Sequence, residues 1–233
     1  RDRPDRRRGR PAADPGLVSA ADLMRPRIGV LAVQGAVSEH EAALADVGAR
    51  TTRVRLPDEL DGLDGLVIPG GESTTFGLVA GRSGLLGALH ERIASGLPVF
   101  GTCAGLIMLA SRIDGDGDQA LIGGMDIVVR RNAFGRQLAS FEADVDVPVL
   151  GDPPMRGIFI RAPWVEQVGP SVEVLAEHAG HIVAARDRTR IVCAFHPELT
   201  GDRRLHRLFV DGIRGATAPA DEDLKGGIRV GSQ

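Results

Sequence analysis

Phe100-Gly-Thr-Cys-Ala-Gly-Leu106 is the stretch on which the reading of this chain turns. It follows the short apolar run Leu97 to Phe100 and opens a second one, Leu106 to Ala110. Cys103 therefore falls between a strand and a helix, with Gly101 and Gly105 on either side. That is the pattern of a nucleophile elbow with cysteine in place of serine. Glycines allow the sharp, strained turn that lifts the thiol out of the sheet. A helix N-terminus behind the sulfur favours the thiolate, which is the reactive form. Taken alone, the same stretch also suits a small buried cysteine in a strand–helix corner, so the choice depends on partners elsewhere in the chain.

Outward from the elbow the chain alternates. Arg27 to Val33 reads as a buried strand, and Ser38 to Val47 as a helix that stops at Gly48. Thr51 to Leu56 is β-branched and strand-like. Gly65 to Ile68 is a short apolar strand ending at Pro69-Gly70-Gly71. Ser73 to Ala80 and Leu85 to Ala94 read as helices, and Val99 to Gly101 as the strand before the elbow. This alternation predicts an α/β fold of three layers, a mostly parallel central sheet with helices on both faces. Sites in such sheets form at the carboxyl ends of the strands, where the Pro-Gly-Gly loop and the elbow both lie.

The second half is different. Ala120 to Val129, Leu138 to Val147, Gly157 to Ile160, Val172 to His178, His181 to Arg186 and Arg190 to Phe195 are strand-like with little helix between them. They predict an antiparallel extension of the sheet. Glu177-His-Ala-Gly-His181 reads as a hairpin turn. Asp202 to Ile213 closes the fold as a helix. Residues 1–23 are rich in Arg, Pro, Asp and Ala with no apolar period, and read as a disordered extension. Met24, just before the first strand, reads as a natural start. A single domain is expected over 24–215, with a polar tail over 216–233.

Bulk properties narrow the function. The chain has 233 residues, a formal net charge of −3 and 43% hydrophobic residues, which suits one globular domain and gives no electrostatic case for nucleic acid or membrane surfaces. The longest nearly apolar run, Leu97 to Ala110, is too short to span a bilayer. Two cysteines far apart in sequence point to a reducing, cytoplasmic compartment, not a disulfide framework. With no Tyr and one Trp, the chain lacks stacking platforms for bases or sugars. Asp114-Gly-Asp-Gly-Asp118 has acidic spacing but lacks the later Glu and flanking helices of a calcium loop. His40, His90, His178, His181 and His206 show no metal-ligand spacing and read as surface or core residues. Neither a metal nor a cofactor is expected.

The elbow has candidate partners. Phe195-His-Pro-Glu198 follows an apolar strand. If the segment stays extended, His196 and Glu198 point to one side. Glu198 then holds one imidazole nitrogen while the other faces Cys103, giving nucleophile, base and orienter. The chain order Cys, His, Glu separates this arrangement from α/β-hydrolases, in which the acid precedes the histidine. Pro69-Gly-Gly-Glu-Ser-Thr74 joins a strand end to a helix start, with Ser73 and Thr74 as helix caps. It reads either as a plain capped turn or as an oxyanion hole, with N–H groups of Gly71 and Ala104 meeting the developing charge. Cys193, inside the strand before His196, reads as inert core.

Gly101-Thr-Cys-Ala-Gly105 together with His196-Pro-Glu198 resembles the class I, triad-type glutamine amidotransferases, whose fold is flavodoxin-like. Five further stretches sharpen the resemblance to the PdxT family, the glutaminase subunits of pyridoxal 5′-phosphate synthase. They are Val30-Leu-Ala-Val-Gln-Gly-Ala36, Pro69-Gly-Gly-Glu-Ser-Thr-Thr75, Arg131-Asn-Ala-Phe-Gly-Arg-Gln137, Phe159-Ile-Arg-Ala-Pro163 and Phe195-His-Pro-Glu-Leu-Thr200. The resemblance runs from about Arg27 to Gly212. It implies hydrolysis of L-glutamine to glutamate and ammonia, with Cys103 as nucleophile, His196 as base and Glu198 as orienter. It assigns Gly71, Glu72 and Ser73 to the glutamine, with Arg131, Ile160 and Arg161 completing the pocket. It also implies a partner, the synthase subunit PdxS, which receives the ammonia inside a large hetero-oligomeric ring. Two other readings stay open on the residues: a cysteine hydrolase or peptidase on a similar sheet, and a non-catalytic binding subunit.

Overall fold

The computed structural model describes residues 24–115, 119–134 and 140–217. The expected N-terminal extension, nearly all of the polar tail, the centre of the Asp-Gly-Asp run and the end of the Arg131–Gln137 stretch lie outside the described residues.

The chain begins as alternating strands and helices. These are β1 (Arg27–Leu31), α1 (Val37–Asp46), β2 (Arg50–Val54), β3 (Gly65–Ile68), α2 (Ser73–Arg82), α3 (Leu85–Ala94), β4 (Val99–Thr102) and α4 (Ala104–Leu109). The four strands of this half pair in parallel in the order β2-β1-β3-β4. Helices cover the sheet, so β3 and β4 are buried along their whole length and carry no polar–apolar alternation. The second strand ends sooner than its β-branched composition predicts. Pro57 starts a 3-10 turn, Pro57–Leu60, and Glu59 accepts the backbone N–H groups of Arg55 and Leu56.

The rest of the chain supplies β5 (Ala110–Asp114), β6 (Met125–Arg130), β7 (Ser140–Val145), β8 (Met155–Ile160), β9 (Trp164–Val168), β10 (Glu173–His178), β11 (His181–Asp187), β12 (Arg190–Cys193) and α5 (Arg204–Thr217). The main sheet continues from β4 through β12, β11, β9 and β6 to β5, with β10 added against β11. The pairings β12–β11, β11–β9, β9–β6 and β10–β11 are antiparallel. This is the flavodoxin-like three-layer fold with an antiparallel extension. The extension differs from the sequence expectation in one respect. β7 and β8 leave the main sheet and form a two-stranded sheet of their own. The turn between β10 and β11 is a hairpin in which Ala179 and Gly180 both take positive φ (51° and 77°), the requirement of a primed turn.

β4 and β12 lie side by side in parallel at the centre of the sheet, with Thr102 opposite Cys193. The residues following these two strands are Cys103 and the Ala194–His196 segment, so the topology brings elbow and histidine to one sheet end. Close packing fixes the elbow. A Cβ on Gly105 would stand 2.2 Å from the backbone oxygen of Ile68, an atom that cannot swing aside. Gly105→Ala is therefore expected to destabilise the fold by about 3 kcal/mol, the upper range for overpacking. Urea unfolding measures this; a midpoint equal to the parent's would show that α4 can shift away from β3.

Candidate active site

Cys103 sits at the junction of β4 and α4 with φ 49° and ψ −101°, a backbone state that L-residues avoid. Its N–H donates to the Cys193 carbonyl at 2.8 Å, which ties the turn to the neighbouring strand. The residue is 6% exposed, and its sulfur lies 3.8 Å from the Ile160 carbonyl oxygen. This is the elbow geometry expected from the flanking glycines.

His196 follows β12 and is 7% exposed. Its Nδ1 meets Glu198 Oε1 at 2.7 Å. The route to that contact is not the extended one expected from sequence. Pro197–Leu199 is a 3-10 turn, and the tight curl brings the carboxylate back to the ring. Pro197 fits its first position, where no N–H is needed. The conformation differs from the expectation, while the His–Glu pairing is the same.

Burial works against a charged His196, but hydrogen bonding with Cys103 and Glu198 outweighs it and pushes its pKa up to about 10. At neutral pH the proton is thus on the imidazole, which faces the Glu198 carboxylate. Burial also opposes charge on Glu198, yet the His196 hydrogen bond and the proximity of His40 hold its carboxyl below the ordinary value. Cys193 is fully buried, and desolvation with the nearby Glu198 charge raises its thiol well above the usual range. It is therefore a protonated core thiol at neutral pH.

The signs give a pH expectation. A histidine whose folded pKa is raised contributes stability fully present below about pH 6.5, its unfolded value. That contribution is lost as pH rises through about 10. Any activity that uses the imidazolium should have an alkaline limb in the same window. A kcat/KM profile with its alkaline limb near pH 7 would show that the ring is neutral at work.

A cavity of about 330 Å³ opens beside the sulfur. Gly71, Glu72, Ser73, Cys103, Arg131, Ile160, Arg161 and His196 all line it. Of the residues expected from sequence, only Ala104 and Glu198 do not. Ala104 begins the helix behind the sulfur, and Glu198 is buried behind the imidazole. The Pro69–Gly71 loop forms one wall: a Cβ on Gly70 would lie 2.4 Å from His196 Cε1 and 3.4 Å from Cys103 Cβ. Gly71 has φ 142°, and a Cβ there would strike the Gln34 side chain at 2.7 Å. Gln34 donates to the Glu72 carbonyl at 2.7 Å.

Helix α2 is capped differently from the sequence expectation. Glu72, not Ser73 or Thr74, is the cap, accepting the N–H groups of Thr74 at 3.2 Å and Thr75 at 2.8 Å. Ser73 is 3% exposed and turns its hydroxyl to Gln119 Oε1 at 3.1 Å. That oxygen also accepts from Arg131 Nη1 at 3.1 Å, while Arg131 Nη2 reaches Glu72 Oε1 at 3.3 Å. Gln119 was not legible in the sequence, because it stands in a glycine- and aspartate-rich loop with no motif. It joins Ser73 and Arg131 into one polar wall. Among the described residues, no group of three or more His, Cys, Asp and Glu is arranged to hold a metal ion. No helix among them is long and apolar enough to cross a membrane.

Comparison with known proteins gives the family. The family model described as SNO glutamine amidotransferase family matches residues 30–214. The pyridoxal 5′-phosphate synthase subunit PdxT of Streptomyces avermitilis is 57% identical over 195 residues, covering 83% of this chain and 97% of that protein. The subunit of the same name from Carboxydothermus hydrogenoformans is 54% identical over 187 residues, covering 80% and 97%. A crystal structure described as a glutamine amidotransferase superposes with a TM-score of 0.76 at 45% identity, covering 80% of this chain and 98% of that one. A putative GMP synthase subunit from Thermoplasma acidophilum, at 20% identity and a TM-score of 0.59 over 82% of this chain and 96% of its own, shares the fold. With its family model matched over nearly all the described residues and relatives more than half identical, the chain belongs to the SNO glutamine amidotransferase family.

Proposed function

We propose that the chain hydrolyses L-glutamine to L-glutamate and ammonia, as the glutaminase subunit of a pyridoxal 5′-phosphate synthase. The observation that carries this reading is the buried His196–Glu198 pair at 2.7 Å set against an elbow cysteine, in a member of a glutamine amidotransferase family. The Cys103 thiolate attacks the side-chain amide carbon, forming a C–S bond and a tetrahedral oxyanion. N–H groups of Gly71 and Ala104 receive that charge. Collapse breaks the C–N bond, and the His196 imidazolium gives its proton to the departing nitrogen, which leaves as ammonia. Water then attacks the thioester carbon as His196 takes its proton, the C–S bond breaks to return the Cys103 thiolate, and glutamate leaves. Glu198 keeps the ring oriented and stabilises its charge without accepting a proton.

Arg131 suits the α-carboxylate of the substrate, with Gln119 and Glu72 fixing its fork. Gly71, Glu72 and Ser73 line the pocket beside it, with Ile160 and Arg161 opposite. Both cysteines are free, which suits a cytoplasmic enzyme whose nucleophile must remain a thiol. The glutaminase domain spans 24–215 in this reading. Its partner is a separate synthase subunit, in a ring assembly, that takes up the ammonia before water protonates it.

The Pro69–Gly71 loop suggests how the two activities are linked. Gly71 occupies a φ that side chains rarely adopt, so its peptide has an alternative orientation at small cost. Docking of the synthase would select the orientation whose Gly71 N–H faces the oxyanion. Glutamine turnover titrated with the synthase subunit should rise by about 10²–10³, the worth of one oxyanion donor. A flat titration, with binding confirmed separately, overturns the control mechanism. Turnover of peptides without turnover of glutamine overturns the glutaminase reading.

A further inference from the structure

Behind Glu198 lies a second pair of histidines that the mechanism above does not use. His40, on α1, has a fully buried side chain, and its Nε2 lies 3.5 Å from Glu198 Oε2. The same nitrogen is 3.2 Å from the hydroxyl of Thr102, the residue just before the nucleophile. On its other side, His40 Nδ1 meets Nε2 of His206 at 3.1 Å. His206 is on α5, fully buried, and its Nδ1 has no hydrogen-bond partner. Phe100 packs edge-on against both rings, at centroid distances of 6.3 Å and 5.4 Å. Elements distant in sequence thus converge on His40, the ring behind the triad carboxylate.

Only one arrangement of protons suits these contacts. If His40 carried its proton on Nδ1, its Nε2 lone pair would face the Glu198 carboxylate at 3.5 Å, and the two would repel. His206, accepting at Nε2, would then carry its proton on Nδ1, leaving a buried N–H without an acceptor. A buried donor without a partner is among the costlier defects in a protein. With the proton on Nε2 in both rings, His206 donates to His40 Nδ1. His40 then donates to Thr102 Oγ1 and turns the positive edge of its Nε2–H toward Glu198 Oε2 at 3.5 Å. Two buried atoms then stay without a hydrogen-bond partner: a lone pair at His206 Nδ1, and Glu198 Oε2, for which the His40 Nε2–H edge at 3.5 Å is an electrostatic neighbour.

We propose that His40, locked in its Nε2–H tautomer by His206, is a positioning residue that fixes the outer oxygen of Glu198, so that the inner oxygen keeps the His196 ring aimed at Cys103. Burial keeps both rings neutral: it lowers the pKa of His40, and with the neighbouring His40 it brings His206 to about 3. The other charged groups acting on the pair are His196 and Glu39 at His40, and Arg203 and Asp202 at His206. The carboxylate is thereby held from both sides, by a cationic donor at one oxygen and by the positive edge of a neutral ring 3.5 Å from the other.

This inference rests on the glutaminase reading, and its test separates the two. Ring ¹⁵N spectra of the histidine-labelled full chain, assigned with single-histidine variants, report the tautomers directly without any turnover. His40 and His206 should both be neutral Nε2–H rings from about pH 6 to about pH 8. An Nδ1–H tautomer at His40, or a ring that titrates in that range, overturns the proposal. With saturating synthase, His40→Leu should lower kcat for glutamine by at least about tenfold and leave KM within about twofold. His40→Gln, whose amide N–H reaches the Nε2 position, should recover kcat to within about threefold of the parent. A leucine variant within about twofold of the parent, or a glutamine variant no better than leucine, also overturns it. If the parent itself fails to hydrolyse glutamine, the glutaminase reading falls and the tautomers alone decide the relay.

Discussion

Replacing Cys103 with alanine is expected to abolish glutamine hydrolysis. Without the sulfur no acyl-enzyme forms, and the loss should be at least about 10⁴-fold in kcat, the scale on which triad members act. The other cysteine provides an internal control. Cys193 has no exposure, and its thiol stays protonated. Cys193→Ala should leave kcat near that of the parent and cost about 1–2 kcal/mol through the small cavity it opens. An alkylating glutamine analogue should label Cys103 alone, as seen by peptide mass spectrometry. Measurable turnover in Cys103→Ala, or labelling at Cys193, would sink the assignment of the nucleophile.

Glu198→Gln should be nearly as damaging. The amide fits the space, but it removes the charge that stabilises the His196 imidazolium, and it presents an N–H where the ring also has one. A loss of about 10⁴ in kcat is the expected scale for an orienting carboxylate made neutral in place. The variant should still fold, since Glu198 makes its contacts within a single turn and to rings on neighbouring elements. Turnover within about twofold of the parent, worth only about 0.4 kcal/mol, would assign the acid role to another residue.

Much of this was legible in the sequence because it is local. Gly-x-Cys-x-Gly between two apolar runs implies a strand–turn–helix with the sulfur at the turn, and the chain folds that way at Cys103, where the sulfur borders the cavity. His196 and Glu198 are two residues apart, so their pairing could be read although the 3-10 turn that makes it was not. The misses have a different physical origin. β5 begins directly after α4 with no glycine or proline between them, so one apolar run passes from helix to strand unmarked at Ala110. β9 is a short strand whose partners are β6 and β11, and only tertiary pairing defines it. β7 and β8 have good strand composition, but composition does not say which sheet a strand joins. His40, His206 and Gln119 acquire meaning only through partners distant in sequence: His40 and His206 are 166 positions apart.

The central pair β4–β12 has a consequence for how such an enzyme tolerates change. The proposed nucleophile and acid–base residue follow adjacent parallel strands locked by one register, so their placement is inherited from a lattice with about 4.8 Å between strands. The groups that line the mouth come from elsewhere: the turn at Arg131, the end of β8 at Ile160 and the start of α2. Cutting and choosing are therefore mechanically separate. Drift in the peripheral segments can alter which amide is admitted, or which neighbour must be present to admit it, while the bond-breaking atoms keep their places.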